Sequence, residues 1–191
     1  MIFHIKQHWR LTLGVTAATG LACAALGGFD QVTEGGPPLW QLVLLGVAGA
    51  GGAMLFNGGV HEVLKRTFGR RYVERFRAYG RRILNGMGWR EYAAGGLMAA
   101  AAEEPLFRGL LLGVFDAPAL GIAVAAVVFA LCHWMQARYF GFWLWAMAEG
   151  VIFGVLMVVT GSLLVPMIAH GLHDLLAYRV MAALVGREET N

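Results

Sequence analysis

Two adjacent glutamates stand inside an apolar stretch, Ala99-Ala100-Ala101-Ala102-Glu103-Glu104-Pro105-Leu106-Phe107-Arg108. Carboxylates are costly in hydrocarbon, so an ionisable side chain at membrane depth is a functional hypothesis by default. Two more apolar segments carry imidazoles: His133 in one, His170 and His173 with Asp174 in the other. Carboxylate and imidazole are the side chains that take a proton from water and give it back. Together they point to water-activating chemistry carried out within a membrane.

The spacings divide the work. Adjacent residues on a helix differ by about 100°, so Glu103 and Glu104 cannot share a face. Glu104 and Arg108 are four apart and can form an intrahelical ion pair. That pair would neutralise Glu104 and hold the helix geometry, while Glu103 points into a different cavity. A carboxylate with restricted hydration suits a general base that must later return its proton. The competing reading is that Arg108 and backbone donors satisfy both glutamates and merely lock the bundle. His133 follows Phe129 by four residues, and taken alone it could be no more than an interhelical hydrogen bonder. His170 and Asp174 share one face at the same spacing, with His173 beside it. They could orient a water, donate to an oxyanion, contribute to a metal site, or simply clasp two helices.

The elements that must position these groups are membrane helices. Of 191 residues, 58% are hydrophobic and 14% charged, against about a quarter charged in a soluble domain. The composition predicts an integral membrane protein, all-α, with about six spans in a single domain over residues 1–191. Apolar runs over residues 11–29, 39–60, 92–115, 119–137, 142–160 and 163–185 supply the spans. Residues 1–60 read as an N-terminal helical hairpin and 92–185 as the catalytic core. Glycines 46, 49, 51 and 52 are expected to let helices approach closely. Cys23 and Cys132 form no ligand spacing and read as packing residues. Glu149 lies in the fifth span, and the sequence gives it no partner.

Residues 61–91 break the pattern. Leu64, Phe68, Tyr72, Phe76, Tyr79 and Ile83 recur every three or four positions, and nine of the fifteen Lys and Arg fall between Lys65 and Arg90. This predicts a basic amphipathic interfacial helix meeting anionic lipids, not nucleic acid. Lys6, Arg10, the basic segment, Arg138 and Arg187 would share one side, with Asp30, Glu34 and Asp116 on the other. The bias toward positive charge inside makes the first side, and both termini, cytoplasmic. A bacterial inner membrane is the expected setting, and oligomeric state is left open.

In order and spacing, Glu103-Glu104-x-x-x-Arg108, Phe129-x-x-x-His133 and His170-x-x-x-Asp174 resemble the three-motif signature of the CPBP intramembrane proteases. That family includes the CAAX prenyl endopeptidases and the bacterial Abi proteins. The resemblance covers about residues 89–184. It implies that Glu103 activates water with help from His133, that Glu104 and Arg108 support the site, and that His170 and Asp174 stabilise the oxyanion. An anionic Asp174 cannot donate to an oxyanion, so unless protonated it would orient His170. His173 has no role in the signature. Members are described both as metalloproteases and as metal-independent glutamic proteases. Glu103, His133 and His170 could supply the three ligands of a catalytic zinc. The absence of HExxH and the sufficiency of a Glu–His base favour chemistry without a cofactor. The expected substrate is a membrane-anchored protein or peptide, either a C-terminal sorting tail or a propeptide. A non-catalytic peptide-binding or bacteriocin-immunity protein is the alternative. A proton-coupled carrier using Glu103, Glu104 and Glu149 would often show an inverted repeat, and none is apparent.

Overall fold

The computed structural model describes residues 8–30, 32, 37–134 and 136–186. Lys6, Glu34 and Arg187, used in the charge argument, lie outside them. Among the described residues there are six α-helices and no strand. They are α1 (Trp9–Ala25), α2 (Leu39–Leu84), α3 (Trp89–Met98), α4 (Pro118–Cys132), α5 (Phe140–Thr160) and α6 (Leu164–Gly186). Two of them, α2 and α5, are long and apolar enough to cross a membrane by length and composition. The apolar helix α4 has only 15 residues, about 22 Å at 1.5 Å per residue. Side chains such as Leu44, Leu55, Leu131 and Val159 are exposed on the outside of the bundle, the pattern of a surface solvated by lipid.

The sequence suggests a hairpin helix followed by a separate interfacial helix. The structure has two helical arms within the 46 residues of α2, and sets the break between them at Gly69, whose φ of 55° and ψ of −136° are non-helical. That φ lies where a Cβ is disfavoured, so glycine permits the break. Beyond it, Tyr72, Phe76 and Ile83 are buried in the protein, and Tyr79 stacks on Phe142 of α5 at 3.9 Å between ring centroids. The His61 Nδ1 and the Tyr72 hydroxyl, 2.9 Å apart, brace the two arms of the break. Most of the apolar stripe therefore faces this molecule's own core. Only Phe68, beside the kink, is largely exposed, at 60%.

Glycines set the helix spacing. A Cβ on Gly46 would fall 2.6 Å from the Ile168 Cβ, and one on Gly49 3.1 Å from the Ala169 Cβ, so these two residues seat α2 on α6. Gly51 and Gly52, expected to do the same, face open space. Helices α3 and α6 touch backbone to backbone: a Cβ on Gly96 would sit 2.6 Å from the Gly171 carbonyl oxygen. That contact brings the helix bearing the glutamates against the helix bearing His170.

After Met98 the chain leaves α geometry. Ala99–Glu103 and Pro105–Leu111 are π-helical, and Leu112–Val114 is a 3-10 turn. Pro105 has no N–H for the carbonyl of Ala101, and its ring presses on that carbonyl. Widening the helix accommodates both effects, and such π turns are frequent at functional sites. At the other wall α4 stops at Cys132 instead of reaching residue 137, and His133 follows at φ −94° and ψ 4°.

Candidate active site

The innermost element is an ion pair. Arg108 Nη1 donates to Glu104 Oε1 at 2.9 Å, and both side chains are 0% exposed. Arg108 Nη2 donates to the Gly150 carbonyl at 3.0 Å, which ties α5 to the π segment. The guanidinium lies over the Phe129 ring, 4.9 Å from its centroid. Arg108 is the one buried Lys or Arg among the described residues. A charge this deep persists only when paired and hydrogen-bonded, and Glu104 provides both.

The same Glu104 oxygen lies 2.6 Å from His170 Nδ1. An ionised carboxylate only accepts, so His170 carries a hydrogen on Nδ1. Phe153 stacks on the ring at 4.4 Å between centroids and holds its plane. Nε2 then faces Glu103 Oε2 at 3.9 Å and Asp174 Oδ1 at 3.6 Å. Glu103 is 4% exposed. His170 is thus held from one side by Glu104 and flanked on the other by Glu103 and Asp174.

A cavity of about 240 Å³ opens in front of this group, with His133, His170, His173, Asp174 and Glu149 in its wall. Glu103 stands behind that wall and meets it through His170. His133 Nδ1 lies 2.8 Å from the Phe129 carbonyl oxygen. A carbonyl cannot donate, so that nitrogen bears the hydrogen and Nε2 keeps the lone pair that can take a proton. Aromatic rings complete the wall, among them Phe76 and Tyr79 from the basic arm of α2 and Trp145 from α5.

The structure gathers all six motif residues, Glu103, Glu104, Arg108, His133, His170 and Asp174, around this one cavity and its back wall. It also gives partners to two residues the sequence left without any. Glu149 Oε1 and His173 Nε2 lie 3.3 Å apart, and His173 Nδ1 is 3.5 Å from Asp174 Oδ1. Between Glu149 and His173 stands Asn57 of α2, a residue the sequence reading missed. Its only signal there was an amide in an otherwise apolar run. Among the described residues no three His, Cys, Asp or Glu side chains are arranged to hold a metal ion.

Residues 85–176 match the family model described as type II CAAX prenyl endopeptidase Rce1-like. Over this segment, just under half of the chain, the sequence is similar to the CPBP family of intramembrane proteases. The CPBP segment runs from the turn after α2 to two residues past Asp174, so it contains every motif residue. It leaves out α1 and all of α2, including Asn57 and the aromatic arm over the cavity. No curated protein and no solved structure matches the chain. The similarity points to a protease acting on a membrane-associated protein, and the family suggests CAAX-type endopeptidase activity.

Proposed function

We propose that this chain is an intramembrane endopeptidase of the glutamic type that hydrolyses a peptide bond in a membrane-anchored protein or peptide. The substrate class we favour is a C-terminal sorting tail or a propeptide. The observation that carries the reading is His170, oriented by Glu104 through Nδ1 and facing Glu103 and Asp174 through Nε2, at the wall of a cavity that also contains His133.

Every step falls to the protein's own groups. Glu103 and His133 activate the water, His133 through its Nε2 lone pair, and the proton they take is returned to the leaving amine. With hydrogens on both ring nitrogens, His170 donates Nε2–H to the oxyanion of the tetrahedral intermediate, and Asp174 acts as the acceptor that aims it. Glu104 and Arg108 hold the imidazole in place. The Lys/Arg bias supports an orientation in a bacterial inner membrane with the basic arm, and the exposed arginines along it, at an anionic cytoplasmic leaflet.

The test is processing of a library of membrane-anchored C-terminal tails by the wild type, Glu103→Gln and His133→Ala. Loss of a general base typically costs 10²- to 10⁴-fold, so cleavage should vanish in both variants while both proteins still accumulate in the membrane. Cleavage that persists in both would take the water-activating role from Glu103 and His133, and no cleavage by the wild type would leave a binding role.

A further inference from the structure

Asn57, on the helix that precedes the matched segment, hydrogen-bonds to the polar groups of the cavity wall, and its indole partner orients the amide. The Trp145 indole N–H, a donor only, is directed at Asn57 Oδ1. That contact fixes which end of the amide is oxygen. The NH2 end therefore faces Glu149 Oε1 at 2.6 Å and His173 Nε2 at 2.7 Å. A carboxylate accepts one of the two hydrogens. The second is directed toward His173 Nε2, and accepting it takes the Nε2 lone pair, which places the ring hydrogen on Nδ1. Nδ1 is the nitrogen 3.5 Å from Asp174 Oδ1, the same oxygen that lies 3.6 Å from His170 Nε2.

We propose that Asn57 is a positioning residue for the catalytic centre: its amide fixes the hydrogen of His173 on Nδ1, toward Asp174, and so holds Asp174 against His170. This rests on the reading of His170 as the oxyanion donor. Asp174 must be an acceptor aimed at His170 for that role, and a donor on its far side keeps it there. An Nε2–H tautomer of His173 would instead present a bare lone pair to Asp174, with no counterpart of the amide that bridges Nε2 and Glu149 Oε1 across their 3.3 Å separation. The N-terminal hairpin thereby becomes part of the catalytic apparatus, although the family signature lies wholly outside it. The geometry also accounts for Trp145, whose indole locks the amide that sets the tautomer.

Two measurements on the full chain test this. The first needs no substrate: nitrogen NMR of the protein labelled with 15N-histidine in nanodiscs, with His173 assigned by difference from His173→Gln. The expected wild-type spectrum shows a protonated Nδ1 and an unprotonated Nε2 at His173. Trp145→Phe, which frees the amide to turn, should add the other tautomer. A wild-type His173 protonated on Nε2 would overturn the proposal, whatever any variant does. The second is turnover of a tail cleaved by the wild type in the processing screen. Asn57→Leu should lower kcat roughly 10- to 100-fold with little change in KM, and Asn57→Gln should restore part of it. Equal kcat in Asn57→Leu and wild type would also overturn it. If the wild type cleaves no tail, the functional reading fails while the tautomer result still stands or falls alone.

Discussion

Glu103 and Glu104, neighbours in sequence, have opposite duties in the proposed mechanism, and substitution should separate them. Glu104 is the counterion of a fully buried arginine and the partner of His170 Nδ1. Removing one member of a buried pair leaves an uncompensated charge, worth about 3–5 kcal/mol. Glu104→Gln should therefore lower the thermal midpoint in detergent sharply and reduce the amount of folded protein. Glu103→Gln should leave the midpoint near wild type while abolishing cleavage. A midpoint that falls equally in both would make the two carboxylates a structural unit. The Glu104–Arg108 pair was legible in the sequence, because the two stand four apart on one helix face. The link through Asn57 was not. Its partners Glu149 and His173 are 92 and 116 positions away, and no local spacing encodes which helices meet.

The elements hold these residues in place through close backbone approach. Gly96 lies against the Gly171 carbonyl, so Gly96→Ala must push α3 away from α6 and carry the π segment from His170. Overpacking of this kind costs about 1–3 kcal/mol, and the displaced carboxylates should cost activity beyond that loss of stability. Gly51→Ala, with nothing within 4 Å of a new Cβ, is the control and should be near neutral by thermal unfolding and by cleavage. Equal effects from the two substitutions would remove the backbone contact from the account. Gly69→Ala should be strained by the positive φ whatever space surrounds it, and a higher rate of protease nicking near residue 69 would report the misfit. The sequence announced the glycines without saying which of them pack. Pro105 was visible too, and its missing N–H is a local signal for the widened helix. What pattern alone could not say is whether the apolar stripe after Gly69 meets lipid or protein. Periodicity defines a face and is silent on what covers it.

At the scale of the whole molecule, the basic arm and the turn after the π segment should lie on opposite sides of the membrane. Helix α3 and its π and 3-10 continuation run from Trp89 to Val114. At about 1.5 Å per residue this is more than the roughly 30 Å of a hydrocarbon core, even allowing for the tighter rise of the widened turns. Arg75, on the exposed face of the arm before that segment, and Asp116, exposed just after it, are the natural reporters. With Cys23 and Cys132 replaced by alanine, Arg75→Cys should react with a membrane-impermeant maleimide only from the cytoplasmic face of sealed vesicles. Asp116→Cys should react only from the other face. Labelling of both from one side would mean that this segment does not cross, and the cavity would then be reached from water by a route the bundle does not suggest. Labelling from opposite sides, with Arg75→Cys cytoplasmic, would put the aromatic arm over the cytoplasmic mouth of the cavity. The helix that carries Asn57 to the catalytic centre would then also carry the wall that a substrate must pass.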